Sequence, residues 1–147
     1  MQRTVRSLLK EKGDVVWSVA PDVSVYDAIK LMTDKQIGAV LVLAGEALVG
    51  MLTERDYMQK VILHDRASKT TRVEEIMTRR VIYVEPGRTV EECMALMTKR
   101  RIRHLPVLQD ETLVGVVSIG DVVKAVIAAR GVLIDQLERY IKGDHPT

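Results

Sequence analysis

The chain has 147 residues, of which 47% are hydrophobic, so it is long enough to bury a core as one domain of two lobes. Its 22 Lys and Arg residues nearly balance its 20 Asp and Glu residues, and the resulting net charge of +2 argues against a general nucleic-acid-binding protein. One cysteine excludes an internal disulfide framework, and because no apolar run approaches the roughly 20 residues that span a bilayer, we expect a cytoplasmic protein without a membrane segment.

The first elements predicted along the chain are a helix and a short strand. Val5, Leu8 and Leu9 form the apolar face of an amphipathic helix that ends at Gly13. Residues 15–19 are rich in side chains that favour strands. A helical extension therefore precedes the first strand.

A helix with a capped N-terminus is predicted next. Ser24 precedes an apolar periodic run, and Asp27 follows it at the spacing of a capping box. The apolar side chains recur at i, i+3, i+4 and i+7, which is typical of a helix face that packs on a core. These side chains belong to Val25, Ala28, Ile29 and Met32.

A β-hairpin follows this helix. Two apolar runs, residues 40–43 and 48–52, are joined by the short segment 44–47. Gly50 lies inside the second run, and Gly115 stands at the same place 65 residues later; a glycine weakens a strand, and close approach of another group to the backbone is a usual reason for it. A second helix is predicted to start near Thr53.

The same elements then recur. Residues 81–127 overlay on residues 16–62 without a gap, at a constant offset of 65 residues. Such a repeat predicts an α+β fold made of two β-α-β-β-α units, and like units usually pack about a pseudo-two-fold axis. A single helical turn is expected over 74–78, before the second copy. We divide the chain into a first repeat with its N-terminal helix (1–64), a linker (65–72), a second repeat (73–130) and a C-terminal helix and tail (131–147).

An apolar stripe lies beyond the second repeat. Its spacing predicts a helix, and we favour packing of this helix on the protein's own core over a dimer contact. The stripe consists of Leu133, Ile134, Leu137, Tyr140 and Ile141.

The sharpest local feature is a hydroxyl residue followed three positions later by aspartate, where an apolar strand meets a helix. It occurs as Thr53 with Asp56 and again as Ser118 with Asp121. One interpretation is a capping box, in which the hydroxyl caps the helix and the acid returns a bond to the backbone. The other is a nucleotide site, because a helix N-terminus favours phosphate and a neighbouring aspartate can accept from both ribose hydroxyls. These residues alone leave both interpretations open.

The order of motifs in each repeat resembles the CBS domain, which is named after cystathionine β-synthase. The motif apolar-Gly-apolar-apolar-Thr/Ser-x-x-Asp ends the stretches 48–56 and 113–121, and residues 35–42 and 101–107 match the preceding part of the domain. Over about residues 13–127 the chain is similar to stand-alone bacterial proteins with a CBS-domain pair. The resemblance implies a disc-like module, two clefts between the repeats and a homodimer.

The resemblance also implies a class of ligand. The clefts of such pairs commonly bind AMP, ADP, ATP, NAD(H) or S-adenosylmethionine. Asp56 and Asp121 would hold the ribose hydroxyls. Thr53 and Ser118 would lie at ribose or phosphate, and Thr78 near the base or ribose. Positions expected to line the adenine are Val16, Trp17, Ser18, Ile82, Gly38, Ala39, His104, Leu105 and Pro106.

Phosphate groups of such a ligand need cations. Arg55, Arg103 and His104 are the candidates, and arginine is suited to bidentate phosphate contacts. We assign Lys99 and Arg100 to a solvated helix end, where cations favour the helix dipole. This basic run has no aromatic partner for base stacking, so it does not indicate a nucleic-acid interface.

The two copies differ at the positions that would meet phosphate. Gly38 and Ala39 stand where the second copy has Arg103 and His104, and Arg55 stands where the second copy has glycine. We therefore expect the two sites to have unequal affinities.

No motif for catalysis is present. The chain has no nucleophile elbow, no phosphate-binding P-loop and no dinucleotide-binding glycine motif, and its histidines have no metal-ligand companion. We predict a non-catalytic regulatory module that binds an adenine nucleotide (AMP, ADP, ATP or NAD(H)) and signals cellular energy or redox state to an unidentified protein partner. The alternatives are a structural dimerisation module with vestigial clefts, and a regulatory subunit of a separate enzyme or transporter.

Overall fold

The computed structural model describes residues 3–13, 15–129 and 141. In this part of the chain, six α-helices and five strands alternate in the order expected for a repeated β-α-β-β-α unit. The predicted α+β class is confirmed. No helix within these residues is long and apolar enough to cross a membrane.

The described residues fall into two compact units. The first-repeat unit contains residues 15–83 and 108–114. The second-repeat unit is built from the described residues of 1–14, 84–107 and 115–147. The N-terminal helix, which precedes the first repeat in the sequence, thus belongs to the unit that holds most of the second repeat.

The first-repeat unit contains a three-stranded sheet with the order β1-β2-β3. β1 pairs in parallel with β2, and β2 pairs antiparallel with β3. A π-helical segment, Met58–Ile62, continues directly from α3. The other elements of this unit are β1 (Ser18–Val19), α2 (Val25–Lys35), β2 (Ala39–Ala44), β3 (Ala47–Thr53), α3 (Glu54–Tyr57) and α4 (Val73–Ile76).

The core of this unit is aliphatic and is covered by α2. The predicted helix face is confirmed, with Val25, Ala28 and Met32 buried and Ile29 packed partly buried against the same cluster. The Ser24 hydroxyl accepts the Asp27 N–H at 3.0 Å and so caps the helix as predicted. Burial of such side chains is the main stabilising term for a unit of this size.

The second-repeat unit contains the N-terminal helix and the counterparts of the hairpin and its helices. α5, β4 and β5 each begin 65 residues after α2, β2 and β3, so the offset read from the sequence holds in the structure. Thr89 and Glu92 form both bonds of a capping box at the start of α5. The elements that lie wholly or in part in this unit are α1 (Val5–Lys12), α5 (Val90–Arg100), β4 (His104–Gln109), β5 (Thr112–Ser118) and α6 (Ile119–Ala129), while residues 108–114 of the hairpin belong to the first-repeat unit.

The first strand of each repeat is shorter than predicted. In the first copy only the last two residues of 15–19 form a strand, and in the second copy a single parallel bridge joins Val84 to Val107. In the first copy the Leu41 N–H donates to the Trp17 carbonyl, and Pro106 replaces Leu41 in the second. Proline has no N–H, so the second copy lacks the corresponding hydrogen bond between these two strands.

Most of the predicted C-terminal stripe lies outside the described residues, namely Leu133, Ile134, Leu137 and Tyr140. Ile141 is described, and it is helical and 80% exposed.

Candidate functional site

The first candidate site, which we call the Asp56 corner, lies where β3 ends at Thr53 and α3 begins. The Thr53 hydroxyl accepts the Asp56 N–H at 3.1 Å, and the Asp56 carboxylate accepts the Thr53 N–H at 3.0 Å. Both bonds of the capping box are therefore present. The helix start and the position of the carboxylate are fixed by the same two residues.

Donors from the protein bond both oxygens of the Asp56 carboxylate. Oδ2 accepts the Thr53 hydroxyl at 3.1 Å in addition to its N–H, while Oδ1 accepts the Thr78 hydroxyl and pairs with Lys60 Nζ, both at 3.0 Å. A carboxylate offers about four acceptor positions. The side chain is 7% exposed, so little of this group is open to a ligand.

The second candidate site, the Asp121 corner, has the same backbone arrangement where β5 ends at Ser118. The Ser118 hydroxyl accepts the Asp121 N–H at 3.2 Å, and Asp121 Oδ2 accepts the Ser118 N–H at 2.8 Å. Lys12 Nζ lies 2.7 Å from Oδ2. The bonds described for this carboxylate from Ser118 and Lys12 reach Oδ2, and the side chain is 17% exposed, against 7% for Asp56.

Asp121 is held as a carboxylate at neutral pH. Partial burial raises its pKa, but hydrogen bonds from Lys12 and Ser118 outweigh that effect, and the pKa lies below its ordinary value of 3.8. The corner therefore combines a fixed negative charge on a partly exposed side chain with an adjacent ammonium group.

Two lysines that were not predicted as site residues form ion pairs with the carboxylates of the two corners. Lys60 follows Asp56 by four residues, a spacing that places both side chains on one helix face and was readable from the sequence. Lys12 is 109 residues from Asp121, and no local pattern indicates that pairing.

Glycine allows close approach at both corners, as predicted. A Cβ atom on Gly50 would lie 2.5 Å from the Sδ atom of Met77, and one on Gly115 would lie 2.8 Å from a methyl carbon of Leu9. The approaching group is thus a side chain of the protein in each case. These side chains come from the segments that precede the first strands of the two repeats.

The N–H groups at the two helix starts are mostly occupied. The Glu54 N–H donates to the Gly38 carbonyl at 3.1 Å, and the Ile119 N–H donates to the Arg103 carbonyl at 2.8 Å. The third N–H of each helix donates to the capping hydroxyl. A phosphate at either corner therefore depends on side-chain cations more than on the helix start.

Several other predicted residues of the first copy lie around the Asp56 corner. Gly38 accepts from the start of α3, Ala39 pairs with Thr53 across the sheet, and Thr78 pairs with Met51. Arg55 is exposed.

The residues of the first strands that were predicted to line the adenine differ in their exposure. Trp17 is 39% exposed, and Lys35 Nζ lies 4.4 Å from its ring centroid, which is a cation–π contact. Ser18 is exposed, whereas Val16 and Ile82 are half-buried. The structure brings no polar side chain of this group to Asp56.

In the second copy, β4 places the predicted residues next to the Asp121 corner through the Arg103 carbonyl, which accepts from the start of α6. The Arg103 residue is exposed and His104 is half-buried. Leu105 and Pro106 are buried in the core, so they can offer a ligand only their backbone. Within the described ranges, no group of three or more His, Cys, Asp or Glu side chains is placed to hold a metal ion.

Comparison with known proteins identifies the class. The CBS domain family model matches residues 5–62 and 73–128, so this chain belongs to the CBS domain family and is a pair of CBS domains, a regulatory module. The chain is 43% identical to CBS domain-containing protein CBSX3, mitochondrial, of Arabidopsis thaliana, over 97% of this chain and 73% of that protein.

Solved structures share the fold. A protein with CBS domains from Burkholderia ambifaria MC40-6 is 54% identical, with a TM-score of 0.84 and coverage of 89% of this chain and 98% of that one. The CBS domain NE2398 is 50% identical, with a TM-score of 0.83 and coverage of 86% and 99%. The CBS domain pair of protein MJ0100, solved with 5′-methylthioadenosine and S-adenosyl-L-methionine, is 24% identical with a TM-score of 0.76 and coverage of 88% and 99%, a likeness of fold alone.

Proposed function

We propose that this CBS-domain pair binds an adenine nucleotide (AMP, ADP, ATP or NAD(H)) at the Asp121 corner and thereby regulates a protein partner without catalysing a reaction. The observation that carries the proposal is the state of the Asp121 carboxylate. Its side chain is 17% exposed, and the bonds described from Ser118 and Lys12 reach Oδ2, so we assign Oδ1 to the ribose. The two hydroxyls of a ribose are neutral donors that suit such an oxygen, and hydrogen bonds to a charged acceptor are the stronger ones.

The Asp56 corner has the same backbone arrangement, but its carboxylate is less able to accept ribose hydroxyls. Ribose hydroxyls would have to displace the Thr78 hydroxyl or the Lys60 ammonium, each 3.0 Å from Oδ1. Each displacement gives up a hydrogen bond or an ion pair of the protein, which costs free energy. We therefore assign the higher affinity to the Asp121 corner and a mainly structural role to Asp56.

The rest of the ligand is assigned from the elements next to the corner. The backbone of residues 104–106 opens β4, and we place the adenine there. The exposed Arg103 precedes it and can pair with phosphate in a bidentate manner. The CBS domain pair of MJ0100, which has the same fold, was solved in complex with two adenosine compounds. That complex supports the proposal that an adenosine group can bind to this fold.

A thermal-shift screen tests the proposal. The wild-type protein is mixed with AMP, ADP, ATP, NAD⁺, NADH or S-adenosylmethionine, next to Asp121→Asn, Asp56→Asn and the exposed control Asp110→Asn. A ligand present at about 100 times its Kd stabilises the folded state by about 2.7 kcal/mol. We expect one adenosine compound to raise the melting temperature of all proteins except Asp121→Asn. The absence of any shift in the wild type would overturn the proposal.

We also propose that the protein is a homodimer. Met58, Ile62 and Leu63, in and just after the π-helical segment, are 59%, 57% and 76% exposed. Three large, exposed apolar side chains within six residues are typical of an interaction site. Sedimentation equilibrium should show a dimer for the wild type and for the control Gln59→Asp, and a monomer for Ile62→Asp. A monomeric wild type would contradict this proposal.

A further inference from the structure

The N-terminal helix brings to the Asp121 corner a cation that lies outside the 65-residue repeat. Lys12 is the last residue of α1, and its Nζ atom donates to Asp121 Oδ2 at 2.7 Å and to the Val116 carbonyl at 2.9 Å. These two bonds use two of the three N–H donors of an ammonium group. The side chain is 32% exposed, so a ligand can reach part of it.

Lys12 is positioned by the packing of α1. The Thr4 hydroxyl caps this helix, and the Val5 N–H donates to the Arg88 carbonyl at 2.8 Å. Leu9, one turn before Lys12, lies against Gly115 of β5. The helix is thus fixed at both ends within the second-repeat unit, and its last side chain is held at the carboxylate.

We propose that Lys12 is a specificity-determining residue that makes the Asp121 corner favour a nucleotide with a 5′-phosphate over a nucleoside without one. The inference rests on the proposed function, because it concerns the same ligand. With ribose hydroxyls on Oδ1, the ammonium on Oδ2 stands beside the same sugar. A phosphate carries the opposite charge, and an unphosphorylated nucleoside offers no such partner.

The backbone N–H groups at the corner do not replace this cation, which acts on the phosphate beside Arg103. The Ile119 N–H is bonded to the Arg103 carbonyl, and the Asp121 N–H to the Ser118 hydroxyl. Arg55 of the first copy has Gly120 as its counterpart. Lys12 is therefore the ammonium that the described residues place directly on the carboxylate.

Isothermal titration with AMP and with adenosine tests the inference. The proteins are the wild type, Lys12→Met, Lys12→Arg and the control Lys10→Met, which removes an exposed charge from the same helix. We expect Lys12→Met to weaken AMP binding about 10-fold and to change adenosine binding less than about 2-fold, as expected for a lost charge-assisted contact. Lys12→Arg should restore most of the preference, and Lys10→Met should keep it.

The outcomes separate the two proposals. If the wild type binds AMP and Lys12→Met leaves the ratio of AMP to adenosine affinity unchanged, the inference is wrong and the proposed function stands. If Lys12→Met binds both compounds more tightly, Lys12 competes with the ligand for Asp121 and the inference is again wrong. If the wild type binds neither these compounds nor the other nucleotides of the thermal-shift screen, both proposals fail. Circular dichroism confirms that each variant is folded.

Discussion

The Asp56 and Asp121 corners share a sequence pattern, a backbone geometry and a capping box, yet their carboxylates are in different states. Asp56 accepts from Thr53, Thr78 and Lys60 on both oxygens and is 7% exposed, whereas the bonds described for Asp121 reach Oδ2 and its side chain is 17% exposed. The repeat thus sets where each carboxylate stands. Residues outside the repeated pattern decide what it can bind.

The cause lies in the segments that precede the first strands. α4 has four residues, and the chain then becomes extended so that Thr78 pairs with Met51 and reaches Asp56. α1 has eight residues, and its last residue, Lys12, reaches Asp121 instead. Because the two segments differ in helix length, a threonine hydroxyl lies at Asp56 and a lysine ammonium group lies at Asp121.

The largest expected effect is on stability. Asp56→Ala leaves the half-buried Thr53 hydroxyl and N–H without an acceptor and should cost about 3 kcal/mol, whereas the more exposed Asp121→Ala should cost about 1 kcal/mol. Urea unfolding followed by circular dichroism measures both. The exposed control Asp34→Ala should change the free energy of unfolding by less than about 0.5 kcal/mol. Equal losses at the two corners would remove the distinction between them.

The glycines give a second comparison. Gly50→Ala sets a methyl group 2.5 Å from the Met77 sulfur and 3.0 Å from the Thr78 carbonyl oxygen, whereas Gly115→Ala meets only the end of the Leu9 side chain. We expect losses of about 2 and about 1 kcal/mol, because a side chain can move aside more easily than backbone. Urea unfolding measures the two losses. Adding Met77→Ala should recover part of the first loss, and a larger loss at Gly115 would contradict the ranking.

Smaller effects are expected from the groups that hold the carboxylates. Thr78→Val removes one hydrogen bond to buried Asp56 and should cost about 1 kcal/mol. Lys12→Met removes a partly exposed ion pair and should cost about 0.5 kcal/mol. Unfolding midpoints with unchanged m-values measure both losses, and a greater loss for Lys12→Met would show that Asp121 is the more structural carboxylate.

The smallest expected effect is a pH dependence at the Asp121 corner. The folded state lowers the pKa of Asp121 below 3.8, so the ionised carboxylate contributes its full stability above about pH 4. This contribution is lost as the pH falls through the lowered value. Melting curves of the wild type and Asp121→Asn should therefore converge between pH 4 and the acid limit of folding. A difference that stays constant down to that limit would contradict the assignment.

The sequence predicted the repeated elements well, because each is fixed by local chemistry. Ser24 and Thr89 cap their helices, the apolar periodicity of the helices matches their buried faces, and the hairpins begin and end close to the predicted residues. The glycine pattern also indicated close approach at Gly50 and Gly115. These features depend on neighbours a few residues apart.

The features that the sequence did not predict depend on distant partners. The pairing of Lys12 with Asp121 joins residues 109 positions apart, and no periodicity encodes it. The loss of a strand rung follows from Pro106, whose effect requires knowing which residue it faces. Lys60 is an i+4 partner of Asp56, and this local spacing is visible in the sequence.

The most direct test of the difference between the corners is the stoichiometry of nucleotide binding by isothermal titration, with the nucleotide that gives the largest thermal shift. The wild type and Asp56→Asn should each bind one nucleotide per chain at high affinity, and Asp121→Asn should lose that binding. High-affinity binding that survives in Asp121→Asn and disappears in Asp56→Asn would contradict the account.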